Sequence, residues 1–167
     1  MPLERYMNLD ADRREAILDA AAAEFGAQGF HPASVNRIAV QSGLSKGSLY
    51  YYFSNKQDLY TTTLTDAAEL LNEAFDDLSD PPPSDVWVEV RQTYQTFLGQ
   101  VQRHPRLHAL APVLLAAWRD PACLPALRTS FGELDAWMRD LLARGRAAGQ
   151  IRTDLPDSLL FAVVLGL

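Results

Sequence analysis

Apolar residues recur with helical spacing along almost the whole chain. Nowhere do they alternate with the period of two that a half-buried strand requires, and no Asn-Gly or Asp-Gly hairpin signal occurs. The first stretch runs from about Arg13 to Gln28. Ile17, Ala21 and Phe25 stand four residues apart, and Leu18 and Ala22 widen the stripe. Asp12 is placed to cap this helix with Glu15 as its reciprocal partner, and Gly29 to end it. A second helix is expected after Ser34, stopping at Gly43. A third follows Ser45 and ends near Phe53. Ser54, with Gln57 at the capping-box position, opens a fourth that can run to about Leu78. Asp80-Pro81-Pro82-Pro83 breaks the pattern, because consecutive prolines exclude helix. Further helices are predicted from Asp85 to Arg103, from His108 to Trp118 with a bend or interruption at Pro112, from Ala126 to Ala148 with Gly149 closing it, and from Asp157 onward. The fold class expected is all-α.

The last residues, LLFAVVLGL, are apolar on every side. A helix of that kind needs burial on several sides, so it is expected either to bury itself in a partner subunit or to belong to a longer protein cut short at Leu167.

Composition narrows the class. The chain has 167 residues, 48% hydrophobic and 22% charged, which suits a globular protein with a real core. No apolar run reaches the roughly 18–20 residues of a membrane span, and MPLERYMNLDADRRE lacks the apolar stretch of a secretory signal. Cys123 is the only cysteine, which excludes a disulfide within the chain and a cysteine-based zinc cluster. A cytoplasmic location is expected.

The stretch from Ser34 to Phe53 carries the most chemistry. Two short helices meet at a tight turn, as in a helix-turn-helix. Ala39 is small enough for the third helix to pack closely on the second, and Gly43 supplies the backbone freedom of the turn. Ile38, Leu44 and Leu49 are assigned to the inside, closed by Phe25. The outer face of the third helix is then Ser45, Lys46, Gly47 and Ser48, followed by Tyr50 and Tyr51, a surface suited to the major groove. Lys56 is placed to pin a neighbouring phosphate. Tyr52 and Phe53 are read as packing residues rather than contacts.

Net charge works against a DNA binder. It is −6 overall, and residues 1–60 hold six Lys/Arg (Arg5, Arg13, Arg14, Arg37, Lys46, Lys56) against seven acids. Affinity must therefore rest on a few placed cations, hydroxyls and backbone donors.

Residues 13–60, with REAILDAAAAEFGAQGF, then Ser34–Gly43, then LSKGSLYYYF and the following SNKQDL, resemble the DNA-binding domain of the TetR family. The resemblance implies a DNA-binding head over residues 1–53 and a helical ligand-binding and dimerisation domain over 54–167. It places Ser34 and Asn36 where the family touches phosphate and sometimes bases, Lys46, Gly47 and Tyr50 at base-contacting positions, and Ser48, Tyr51 and Lys56 at phosphate-contacting ones. Arg37 and Ser45 complete the candidate DNA-binding set. It further implies a repressor that binds a near-palindromic double-stranded operator as a homodimer and is released by a small, largely apolar or aromatic effector. The family dimerises through its last two long helices, and only part of that pair is recognisable before Leu167.

Aromatic and apolar residues beyond the head, namely Trp87, Tyr94, Phe97, Leu114, Trp118, Phe131 and Trp137, are candidates to line an effector pocket, with ordinary core packing as the alternative for each. Tyr94 and Phe97 share a helical face with Val90 and Val101 and are expected to point inward together. His104 and His108 have metal-capable spacing, but no further ligand completes a site; Cys123 is read as an apolar filler, and Arg139, Arg144 and Arg146 as a solvated face with Asp135 and Asp140. No nucleophile elbow, phosphate loop or metal-ligand cluster is present, so no enzyme, cofactor or metal is expected. Three other readings stay open: a three-helix bundle that binds no DNA, a small-molecule-binding helical module with a vestigial head, and a protein-interaction domain.

Overall fold

The computed structural model of the chain describes residues 2–72, 84–117 and 132–164. All regular structure among them is helical. A short helix α1 (Glu4–Met7) precedes α2 (Ala11–Gln28), α3 (Val35–Gln41), α4 (Lys46–Tyr52) and α5 (Lys56–Asn72); then come α6 (Val86–Arg103), α7 (Pro105–Ala117), α8 (Gly132–Ala147) and α9 (Asp157–Val164).

Helix α2 is the axle of the molecule and packs against α3, α5 and α7. Its stripe of Ile17, Ala21 and Phe25 is completely buried, as its spacing requires. The cap is Asp10, whose carboxylate accepts from the Arg13 N–H at 2.9 Å, not the expected Asp12. The helix starts two residues earlier than expected because an acceptor three residues before Arg13 reaches its N–H, whereas Asp12 lies inside the first turn. A similar shift occurs at α5. Asn55 Oδ1 accepts from the Asp58 N–H at 2.9 Å and Asp58 Oδ2 from the Ser54 N–H at 3.1 Å, so the reciprocal cap is Asn55 with Asp58 in place of Ser54 with Gln57. Helix α7 begins at Pro105 rather than His108, with Pro112 accommodated inside it. Proline is well placed in a first turn, where its missing N–H has no partner to lose.

Two buried clusters result among the described residues. The larger runs without a break from Tyr6 through Phe25, Ile38, Leu49 and Phe53 to Leu59, Leu64, Leu107 and Leu110, and so joins α1–α5 to α7. The smaller gathers Val86, Leu141, Leu142 and Ile151, with Trp137 and Leu160 against it. Gly26 lets α2 and α7 come together: a Cβ there would stand 2.1 Å from the Ala109 carbonyl oxygen.

Arg106, 8% exposed at the start of α7, ties the same helices by charge. Its guanidinium donates to Asp19 on α2 at 2.9 Å and also to Glu15 on α2 and Asp66 on α5. Burial works against the arginine's charge, and these carboxylates more than offset it, so its pKa is raised. Burial likewise raises the Asp66 carboxyl, with Arg106 opposing it. Arg144 is not on a freely solvated face. It donates to Asp140 at 2.6 Å and across to Glu89 of α6 at 2.8 Å, and Arg146 pairs with Asp157 at 2.7 Å.

Candidate nucleic-acid interface

Helices α3 and α4 form a helix-turn-helix. The Ser34 hydroxyl accepts from the Arg37 N–H at 3.4 Å, and the Ser45 hydroxyl from the Ser48 N–H at 3.0 Å, so each expected serine caps its helix. The turn between them is a left-handed close at Gly43 (φ +71°): its N–H reaches the Val40 carbonyl at 3.2 Å and the Leu44 N–H the Ala39 carbonyl at 2.8 Å. Ser42 adds a hydroxyl bond to the Ile38 carbonyl at 2.9 Å. Inside, Ile38 and Leu49 are buried and Phe25 closes the core, as the spacing predicts; Leu44 is half-buried against it, and Ala39 is buried between the two helices.

The outer face has little internal work. Ser45, Lys46 and Gly47 are exposed, and Tyr50 and Tyr51 are 42% and 53% exposed. Ser48 is half-buried and its hydroxyl shares a 2.8 Å hydrogen bond with that of Ser45. Gly47 sits in regular helix, and a Cβ added to it would meet nothing closer than Ser45 Oγ at 3.8 Å, so the fold of the chain does not demand a glycine there. Asn36 and Arg37 are exposed on α3, Ser34 is half-buried at its cap, and Val40 is 77% exposed on the same helix. As expected, Phe53 is buried and Tyr52 half-buried against the core.

Several cations of the head are held by the fold. Arg37 Nε donates to Glu24 Oε2 at 2.9 Å and Nη2 to Oε1 at 2.5 Å. Glu24, 6% exposed on α2, also accepts the Ser34 N–H at 2.7 Å, so one carboxylate anchors both the start of α3 and its arginine. The Arg37 bond leads the forces that hold the Glu24 carboxyl below its ordinary range, against the opposing effect of burial. Lys56 Nζ donates to the His31 carbonyl at 2.9 Å and lies 5.0 Å from the Phe30 ring centre, bracing the α2–α3 connection. Arg13 lies 3.6 Å from Asp10.

Sequence reasoning missed α1 altogether. Tyr6 is buried with its ring 4.9 Å from that of Phe53, the Leu3 N–H donates to the Tyr52 carbonyl at 3.0 Å, and the Arg5 guanidinium lies 4.3 Å from the centre of the Tyr51 ring. Glu24 was also missed: a glutamate on a helix that is otherwise alanine-rich carries no local sign of a partner 13 residues away.

The effector candidates that the structure describes lie in different surroundings. Phe97 and Leu114 pack in the larger cluster, and Trp137 borders the smaller one, where its Nε1 donates to Glu89 Oε1 at 2.8 Å. Trp87 and Tyr94 are 50% and 53% exposed, so Tyr94 does not share the inward orientation of Phe97 and Val101. Trp118, Phe131 and Cys123 lie outside the described residues. Among the described residues no three His, Cys, Asp or Glu side chains gather as a metal site, and no helix is long and apolar enough to cross a membrane.

A two-helix reading unit of this geometry, on a three-helix head, coincides with a sequence match. Residues 17–62 match the family described as bacterial regulatory proteins, tetR family. The head over residues 17–62 is therefore of the TetR type. The uncharacterized HTH-type transcriptional regulator YxaF of Bacillus subtilis is 38% identical over 80 residues, covering 45% of this chain and 42% of that protein. The HTH-type transcriptional repressor AcnR of Corynebacterium glutamicum is 27% identical over 157 residues, covering 88% of this chain and 73% of its own length. A TetR family transcriptional regulator from Chloroflexus aurantiacus superimposes with a TM-score of 0.74 at 25% identity, over 98% of this chain and 75% of that one. The likeness extends past the head: the all-α arrangement shared with that structure continues through α5 and beyond.

Proposed function

We propose that the chain is a ligand-responsive repressor that binds a near-palindromic operator as a homodimer. In this reading residues 1–53 are the DNA-binding head, and residues 54–167 carry the effector and dimer contacts. Ser45, Lys46, Gly47 and Tyr50 of α4 face base edges, while Ser34, Asn36, Ser48, Tyr51 and Lys56 hold phosphates and sugars. Arg37, with its guanidinium engaged by Glu24, positions α3 and offers its remaining donors to the backbone.

The observation that carries this is the outward face of α4. Serines, a lysine, a glycine and two exposed tyrosines stand together on a helix whose Leu49 is buried in the core, and beyond the Ser45 cap and its bond to Ser48, Lys46, Gly47 and Tyr50 have no visible folding role. Repression is supported by the name of AcnR, to which the chain is similar over most of its length. A small, largely apolar or aromatic effector is proposed to act between the helices after α4, where Phe97 and Leu114 pack as apolar side chains in the larger core cluster. To switch, it must bind one spacing of the two heads better than the other.

Selection of binders from randomised duplex DNA tests the reading. Enrichment of an inverted repeat with half-sites about 10–10.5 base pairs apart, or a multiple of that spacing, is expected. Enrichment of no sequence at all contradicts it.

A further inference from the structure

Helix α1 lies against the end of α4, and its one cation sits over the ring of Tyr51. Three observations locate it. Tyr6 is driven into the core beside Phe53, the Leu3 N–H closes on the Tyr52 carbonyl, and the Arg5 guanidinium rests 4.3 Å from the centre of the Tyr51 ring. The first two pin α1 to the C-terminal end of α4. The third sets the guanidinium over an aromatic face at cation–π distance, a contact made through the ring face that does not use the guanidinium N–H donors in a hydrogen bond. Arg5 and Tyr51 are both exposed.

Charge makes the placement matter. Arg13 is beside Asp10, Arg37 is engaged by Glu24, and Lys56 donates to a carbonyl. Among the described residues no ion pair is formed by Lys46, at the N-terminal end of the exposed face of α4, or by Arg5, at its C-terminal end. In a chain with a net charge of −6, two unneutralised cations flanking one exposed face dominate its local attraction for a polyanion.

We propose that Arg5 is a DNA-backbone contact of this protein, and that its stacking also fixes the ring of Tyr51 on the reading surface. α1 is then part of the DNA-binding surface rather than an inert leader to α2. The inference rests on the DNA-binding reading above.

The test compares the full chain with Arg5→Ala and Arg5→Lys on a random-sequence duplex, by fluorescence anisotropy over a series of KCl concentrations. Arg5→Ala is expected to weaken binding and to reduce the slope of log affinity against log salt by about 0.9 per chain, while Arg5→Lys keeps the wild-type slope. Thermal melting of the variants is expected to match wild type because Tyr6 and Leu3 still hold α1. Should Arg5→Ala melt early, Arg5→Gln removes the charge while keeping a longer stem and gives the same reading. A wild-type slope in the charge-removing variant overturns the role of Arg5 and leaves the proposed function standing. A slope lost equally in Arg5→Lys overturns it too, since the charge alone would not then be the contact. No salt-dependent affinity in the wild-type chain overturns both.

Discussion

Single residues set how well the reading head is held. Gly43 is the clearest case: at φ +71° a side chain is strained whatever space surrounds it. Gly43→Val is expected to destabilise the chain by about 1–2 kcal/mol or more, measured by urea denaturation, whereas Gly43→Asn should cost less because asparagine tolerates the left-handed region. Tyr6 offers a test by pH. Burial, reinforced by the nearby Asp66 charge, pushes its phenol up to about 12. Because the folded value lies above the ordinary tyrosine value near 10, the stability Tyr6 contributes is complete below pH 10 and is lost as pH rises through about 12. Ultraviolet titration should show one tyrosine ionising near pH 12 that is missing in Tyr6→Phe. Loss of a step near pH 10 instead, the ordinary tyrosine range, would show that the phenol is not shielded beside Phe53. Glu24 behaves in the opposite sense: its carboxyl is held low chiefly by Arg37, so its contribution is present at neutral pH and disappears as acid titrates it.

At the scale of elements, local signals and long-range partners divide what could be read from the sequence. Ser34, Ser45 and Gly43 act within four residues of themselves, and the helices they bound were legible from them. The competing caps at Asp10 and Asp12, and at Ser54 and Asn55, lie one or two residues apart with similar chemistry, so pattern alone chose the wrong member. Helix α1 has four residues and no repeat of its own; the core that receives Tyr6 creates it. Tyr94 and Phe97, three residues apart, satisfy one inward stripe by spacing, yet α7 covers only part of α6 and leaves Tyr94 exposed. The contact of α2 with α7 was equally invisible, because the need for a glycine at Gly26 depends on Ala109. Gly26→Ala should cost about 1–3 kcal/mol or more through overpacking against backbone, despite the better helix propensity of alanine. A variant as stable as wild type would show that the two helices separate easily.

Across the whole molecule, the head is continuous with the helices beyond it. The larger core passes through α5 into α7, and Arg106 bonds carboxylates on α2 and α5 from α7, across 87 residues of sequence in one case. α7 is thereby tied to both α2 and α5. Arg106→Ala leaves Asp66 without its buried cation and should destabilise the chain by about 1–3 kcal/mol. Arg106→Lys is expected to recover only part of this, since a single ammonium does not reproduce the three-way fork. All of this architecture serves the outer face of α4, which is proposed to read DNA. Affinity for a duplex recovered by selection, compared with a scrambled duplex, tests that role most directly in Lys46→Ala and Tyr50→Ala. Both variants should stay folded, and Tyr50→Ala should lose about 1–3 kcal/mol on the selected duplex and less on the scrambled one. Lys46→Ala should likewise weaken the selected complex. Wild-type affinity in both variants, on either duplex, would contradict a reading role for α4.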